Sequence, residues 1–264
     1  MELISKVSKG SKMDQIYIPK KRAGLPIGDY VLITPVKKAG EINLFYHNVK
    51  TLESIKIMLI KEIFNAINEK IECSNIILTG SFLENGFKFN DIDLLIINNE
   101  KISGKKLKSL SKELSEKFNI KFQALSLDLK TLREGLSTDP LYEAMLSRYV
   151  SKERLILNAK RRINPKILDL HLIESETLIH NFDYADGIEK YSLIRNLIAI
   201  SLFLDNKKVT GGSIDVLIKK IFDISSTALI KNNMLNKQEF LKRYKDFYKK
   251  TFDKLMGKLN DTKS

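Results

Sequence analysis

Two aspartates spaced two residues apart, Asp91 and Asp93, open an apolar run that continues Leu94-Leu95-Ile96-Ile97. On a β-strand, side chains alternate faces, so Asp91 and Asp93 are expected on one face, about 6.6 Å apart along the strand. Aspartate is disfavoured in strands. Two neighbouring carboxylates also resist joint ionisation unless a cation lies between them. An oxygen-only pair of this kind suits Mg²⁺, which takes one or two carboxylates and completes its shell with water and phosphate.

A second chemical element precedes this pair. Ile76-Ile77-Leu78-Thr79 is a short apolar run, and it ends in Gly80-Ser81. Glycine allows close approach of a ligand to the backbone. The amides that follow can form an anion-binding nest, and the Ser81 hydroxyl can donate. The order strand, Gly-Ser turn, short loop, strand would put a phosphate cradle and a metal site at one end of neighbouring strands. Nucleotidyl transfer needs that combination, because cations bridge the triphosphate oxygens and steady the attacking and leaving groups.

At these residues the chain resembles the nucleotidyltransferases of the DNA polymerase β superfamily. Their signature is Gly-Ser, a spacer of about ten residues, then Asp-x-Asp on the next strand. The likeness covers roughly residues 50–160. It implies that Gly80 and Ser81 hold nucleotide phosphates, that Asp91 and Asp93 bind Mg²⁺, and that the substrate is a nucleoside triphosphate such as ATP or CTP. The family also carries a third acid on a later strand. Here the corresponding stretch, Ile120-Lys121-Phe122-Gln123-Ala124-Leu125-Ser126-Leu127-Asp128, has Gln123 or Ser126 where that acid is expected. Asp128 is the nearby carboxylate and so the candidate third catalytic residue. It reads equally well as the N-cap of a helix over Leu129–Gly135.

Composition bounds the partners. With 43% apolar residues the 264-residue chain can bury a substantial core. No apolar run approaches a membrane span, and Met1-Glu2-Leu3-Ile4-Ser5-Lys6 lacks a secretory signal's hydrophobic stretch. The single cysteine, Cys73, precludes an internal disulfide and cysteine-rich zinc sites. A cytoplasmic location and no membrane partner are expected. The net charge of +13 favours a phosphate-rich partner, RNA or DNA, although lysine also serves simply to solvate surfaces. His47, His171 and His180 are too scattered for a metal cluster.

Three segments are expected to position the site: a β-hairpin module over 1–40, a nucleotidyltransferase domain over 50–163 and a helical domain over 164–264. In the first, Gln15–Ile18 and Tyr30–Thr34 read as strands, with Pro19 and Gly28-Asp29 as stop and turn. "Ile-x-Ile-Pro" followed by "Gly-Asp-x-Val" resembles an AbrB-like swapped hairpin, which implies a homodimer and DNA binding. A hairpin that docks and binds nothing fits equally. Leu52–Ile71 has helical spacing at Ile55, Met58, Leu59, Ile63, Phe64, Ile67 and Ile71, and Lys105–Phe118 reads as a second helix. Thr138-Asp139-Pro140 reads as a helix start. From Pro165 onward the periodicity is helical, with a break predicted at Gly211-Gly212 and a last helix over Lys237–Leu259 that has a lysine-rich side. Arg148, Lys152, Arg154, Lys160, Arg161 and Arg162 form a basic cluster that could clamp phosphates or serve as a charged linker. Arg195 has no histidine a turn away, so no Arg-x-His ribonuclease site is read there.

The expected fold is therefore mixed α/β: a small sheet domain with an N-terminal β-hairpin module and a C-terminal helical bundle. The leading functional expectation is Mg²⁺-dependent transfer of a nucleoside monophosphate from a nucleoside triphosphate to a hydroxyl acceptor, with RNA among the candidates. Two alternatives remain beside it. One is a catalytically inactive nucleotidyltransferase fold that binds nucleic acid as a regulator, and the other is a toxin–antitoxin nucleotidyltransferase that modifies a protein.

Overall fold

A computed structural model of the chain describes residues 7–18, 27, 42–100, 102–157 and 159–261. The chain divides into two compact units, 1–38 and 39–264. In the first, β1 (Val7–Ser8) pairs antiparallel with β2 (Gln15–Ile16), in a register that sets Val7 opposite Ile16. The strand expected over Tyr30–Thr34, the Pro19 stop, the Gly28-Asp29 turn and the swapped closure built on them lie outside the described residues.

The second unit is mixed α/β. Its five-stranded sheet is built from β3 (Phe45–His47), β4 (Asn75–Thr79), β5 (Asp91–Ile97), β6 (Lys121–Leu127) and β7 (Tyr149–Ser151), in the order β3-β7-β4-β5-β6. Only β5 and β6 run parallel, and the crossover between them is the helix α2 (Gly104–Phe118), as parallel neighbours require. Ser103 caps α2 by accepting from the Lys106 amide, and Asn119 ends it in the left-handed conformation. α1 (Ser54–Asn68) lies between β3 and β4 in sequence. α3 (Leu129–Thr138) and α4 (Pro140–Met145) lie between β6 and β7. Asp139 caps α4 with Pro140 at the first turn, as the sequence predicts.

Strand alternation divides the core. Ile76, Leu78, Ile92, Leu94, Ile96 and Phe122 face α1 and α2. Ile77, Leu95 and Ile97 face the other way, against Leu132 of α3, Leu146 and Tyr149. β4 is buried on both faces, which explains its unbroken apolar sequence. In α1 the buried stripe is Lys56, Ile60, Ile63, Phe64 and Ile67. Ile55, expected inside, is exposed, because the face turned to the sheet starts one residue later.

The helical bundle comprises α5 (Pro165–Asn181), α6 (Gly187–Leu204), α7 (Gly211–Phe222), α8 (Ala228–Lys231) and α9 (Lys237–Asp261). α6 is its central element and packs on α4, α5, α7, α8 and α9. Every residue from Leu197 to Leu204 is buried, the mark of a helix covered on all sides. Asp186 starts it by accepting from the Ile188 and Glu189 amides, each at 2.8 Å. Tyr244 of α9 is fully buried and donates to the Ser175 carbonyl of α5 at 2.7 Å. The predicted break at Gly211-Gly212 is instead a helix start. Thr210 and Ser213 form a reciprocal capping box, which satisfies the first amides and lets the two glycines occupy the opening turn. Among the described residues no helix is long and apolar enough to cross a membrane.

His171 joins the two parts of this unit. Its Nε2 lies 3.2 Å from Asp139 Oδ1, and its Nδ1 lies 3.5 Å from Glu174 Oε2, outside hydrogen-bonding geometry. The hydrogen bond with Asp139 raises its pKa above the ordinary 6.5, against the opposing effect of burial, and Glu174 adds its charge. A folded pKa above the unfolded one gives stabilisation that is complete below the unfolded value and fades as pH rises through the folded value. His171→Gln is expected to cost about 1–3 kcal/mol near pH 6 and less at alkaline pH. Chemical denaturation across that range checks it, and equal losses at both ends would count against the pair.

Candidate active-site cleft

Alternation along β5 puts Asp91 and Asp93 on the same face as Leu95 and Ile97. The antiparallel register sets Asp93 opposite Thr79, so the turn after β4 meets it directly. Gly80, at φ +84°, adopts a conformation that suits glycine. A Cβ there would overlap Asp93 Oδ2, so a side chain at position 80 and the Asp93 carboxylate are incompatible. A single 3-10 turn, Ser81–Leu83, follows. Phe82 and Leu83 are buried and anchor it, while Ser81 stays exposed.

The parallel register of β5 and β6 decides the third position. Gln123 stands opposite Asp93 on the same face, and its side-chain amide donates to Asp91 Oδ2 at 2.5 Å. An amide thus occupies the place where the sequence comparison looked for an acid. Asp128 does not join the pair. Asp91 is level with Lys121 and Ile97 with Leu127, so Asp128 lies past the opposite end of the strand. There it caps α3, accepting from the Thr131 amide at 2.7 Å and the Thr131 hydroxyl at 2.8 Å. These bonds hold its pKa below the usual carboxylate value. Among the described residues no group of three acidic, histidine or cysteine side chains could hold a metal. Asp91 and Asp93 remain as a two-carboxylate set, which fits a cation that draws the rest of its shell from water and phosphate.

Asp93 opens on a cleft of about 1000 Å³ between sheet and bundle, with Asp91 beside it on the strand. Thr79, Gly80, Ser81, Asp93 and Gln123 line one wall, and Tyr191, Arg195 and Asp215 line the other. Arg195 makes no ion pair or hydrogen bond with the described residues, yet its charge reaches Asp93. Tyr191 donates to Asp215 at 2.9 Å and lies under the Lys231 ammonium, 4.2 Å from the ring centroid. Burial, and then the Asp215 charge, raise the Tyr191 pKa, so the phenol remains a donor. Arg148 pairs with Glu84 at 2.9 Å on the rim.

Sequence reasoning missed Arg195 and Tyr191 as cleft residues, Tyr191 being read as part of a buried helical stripe, and Asp215 altogether. It had also grouped Arg148 with cations that the fold separates. Lys152 donates to Asn68 at 3.1 Å, and Arg161 clamps Glu143 and the Lys207 carbonyl. Comparison with known proteins finds no match for this chain, whether among family models, curated proteins or solved structures.

A buried cation supports the turn. Lys56 is 1% exposed, and its ammonium donates to the carbonyls of Glu84 at 2.5 Å and Gly86 at 2.6 Å. It pairs with Glu53 at 3.1 Å and lies within 6 Å of the ring centroids of Phe82, Phe87 and Phe89. Glu53 in turn accepts from the Gly86 amide. The loop after Gly80-Ser81 is thus pinned to α1 by one charge with its bonds satisfied.

Two outcomes follow. Lys56→Met strands two carbonyls and the Glu53 carboxylate, and is expected to cost about 3 kcal/mol in denaturant unfolding. Burial first, and then the Asp91 charge, raise the Asp93 pKa, while Arg195 opposes them. A carboxyl with a raised folded pKa favours folding below its unfolded value and opposes it once pH has risen through the folded value. Asp93→Asn is therefore expected to raise the Tm of the metal-free protein at neutral pH, by roughly 2–4 °C for each kcal/mol recovered. A lower Tm would show that the Asp93 charge is not strained.

Proposed function

We propose that this cleft binds a nucleoside triphosphate together with Mg²⁺ and transfers its nucleoside monophosphate to a hydroxyl acceptor. The observation that carries the proposal is the placement of Asp93 against the Gly80 turn. It puts Asp93 and the glycine bend in one concavity, with Asp91 next to Asp93 on the same strand face. In this reading Asp91 and Asp93 hold the cation, and the Gly80–Ser81 segment meets phosphate oxygens through backbone amides and the Ser81 hydroxyl. Arg195, without a partner among the described residues, offers a guanidinium to the same anion.

The bound cation would polarise phosphate oxygens and stabilise charge as it develops. The acceptor oxygen bonds to the α-phosphorus, the bond to the bridging oxygen breaks, and pyrophosphate leaves with the electron pair. The hydroxyl proton must go elsewhere than to Gln123, since an amide is no base at neutral pH. Water, Glu84 or Asp215 could receive it within the cleft. Gln123 also favours a second reading, a protein that binds Mg²⁺ and nucleotide without transfer. The resemblance to the DNA polymerase β superfamily over residues 50–160 supports both.

Incubation with α-phosphate-labelled ATP or CTP, Mg²⁺ and either total RNA or total protein tests the proposal. Labelled RNA or labelled protein is the expected result. Asp93→Asn should lower the labelling at least about a hundredfold, because a cation contributes several kcal/mol to such a transition state. Saturable nucleotide binding without labelling, abolished by Asp93→Asn, selects the second reading. Mg²⁺-independent binding, or none, discards both.

A further inference from the structure

A second cavity of about 800 Å³ adjoins the cleft, and Asn48, Ser147 and Thr210 line both. The partition between them is a hydrogen bond, from the Asn48 side-chain amide to the Ser147 carbonyl at 2.8 Å. No residue singled out for the proposed transfer chemistry lies in the second cavity, and its lining is of a different kind. The edge strand β3 supplies Tyr46 and His47, both exposed. His47 stacks on Tyr149 with centroids 4.7 Å apart and planes 15° from parallel. Arg154 and Lys208, also exposed, add two positive charges that make no ion pair or hydrogen bond with the described residues through their side chains. The other arginine, Arg161, is already neutralised by Glu143. Ile156 contributes an apolar surface that is 67% exposed.

Aromatic faces beside unpaired cations match a ligand that carries flat rings and negative charge together. A nucleotide is such a ligand, and a chain of nucleotides can reach from one cavity into the next. We propose that this second cavity seats a base and phosphate of a single-stranded nucleic acid, with the strand's end directed past Asn48 into the cleft. His47 and Tyr46 offer stacking surfaces, a sequence-tolerant interaction because every base has a π-face. Arg154 and Lys208 meet the backbone phosphates. An acceptor role for that end rests on the function proposed for the cleft, whereas the binding itself does not.

Fluorescence anisotropy with a short fluorescein-labelled single-stranded RNA, titrated at several salt concentrations, tests the seat. Binding that weakens with salt is expected. His47→Ala should weaken it about tenfold, the cost of one stacked base. Arg154→Gln should reduce the slope of log K against log salt by about 0.7. Lys208→Glu is a second surface variant with an effect in the same direction. Lys245→Gln on α9 makes an equal change of charge away from the cavity lining and should leave affinity within about twofold. Unchanged affinity in the His47 and Arg154 variants, or equal losses from Arg154→Gln and Lys245→Gln, overturns the proposal, the latter because it means diffuse attraction. Mg²⁺-dependent nucleotide binding to the unsubstituted protein, measured without RNA, reads the cleft alone. Failure of the cleft reading would therefore register in a different measurement from failure of the seat.

Discussion

Two carboxylates held on one face of a strand, one of them pressed against a glycine turn, are the constraint around which this unit is arranged. Asp93 is partly removed from water, and Asp91 stands beside it. Each circumstance favours protonation, so an ionised pair is costly without compensation. Leucine or isoleucine at these two positions would extend the apolar face already formed by Leu95 and Ile97 and would remove that cost. The arrangement is not what stability alone would select. Polar residues that oppose the local rule for a strand are expected where a site is built. The absence of a Cβ at residue 80 fits the same conclusion, since the space it would take is filled by the Asp93 carboxylate.

The rest of the unit holds that geometry rigid and encloses it. β4 and β5 place the turn and the pair, and β4 is covered on both faces, which suppresses register slippage. Lys56 pins the loop that follows the turn to α1, with its charge divided among two carbonyls, a carboxylate and three aromatic rings. From the other side α6 presents Tyr191 and Arg195 near its N-terminal half, while its C-terminal half is sealed in the bundle. A helix so completely buried cannot easily rotate, so the guanidinium facing Asp93 is carried on a stiff support.

Much of this was legible in the sequence because it depends on neighbours along the chain. Alternation put Asp91 and Asp93 on one face, and Asp128 and Asp139 read as caps because Asx residues before helices satisfy free amides within three residues. The helical stripes of α1 and α9 followed from spacing. What stayed hidden depends on register or on tertiary contact. Gln123 faces Asp93 only because β5 and β6 pair in one register of several, and that register also carries Asp128 to the far end of the sheet. Arg195 and Tyr191 reach the cleft because α6 packs across α4, which no local pattern encodes. Lys56 did leave a trace: it occupies the position four before Ile60 and seven before Ile63, inside an apolar stripe. A lysine there is either an error of periodicity or a buried charge with partners, and the fold shows the second. Gly211-Gly212 misled because glycine pairs usually punctuate chains, whereas Thr210 and Ser213 make a helix start of them.

Gln123 bears most directly on how the proposed site would work. A third carboxylate at that position would add negative charge beside Asp93, whose pKa is already raised. The amide adds none, and its N–H group instead donates to Asp91. That bond occupies one Asp91 oxygen, whereas burial and the Asp91 charge raise the pKa of Asp93. With two carboxylates in place of three, the protein supplies less charge to a cation. Part of the neutralisation then has to come from the ligand that enters with it. A triphosphate brings several negative charges, and Arg195 on the facing wall offsets part of the excess. In the proposed reading, electrostatic balance in the cleft would therefore favour cation and polyphosphate arriving together over a cation bound alone. It would also make Arg195 and the two-aspartate strand, drawn from opposite sides of the cleft, parts of one proposed site.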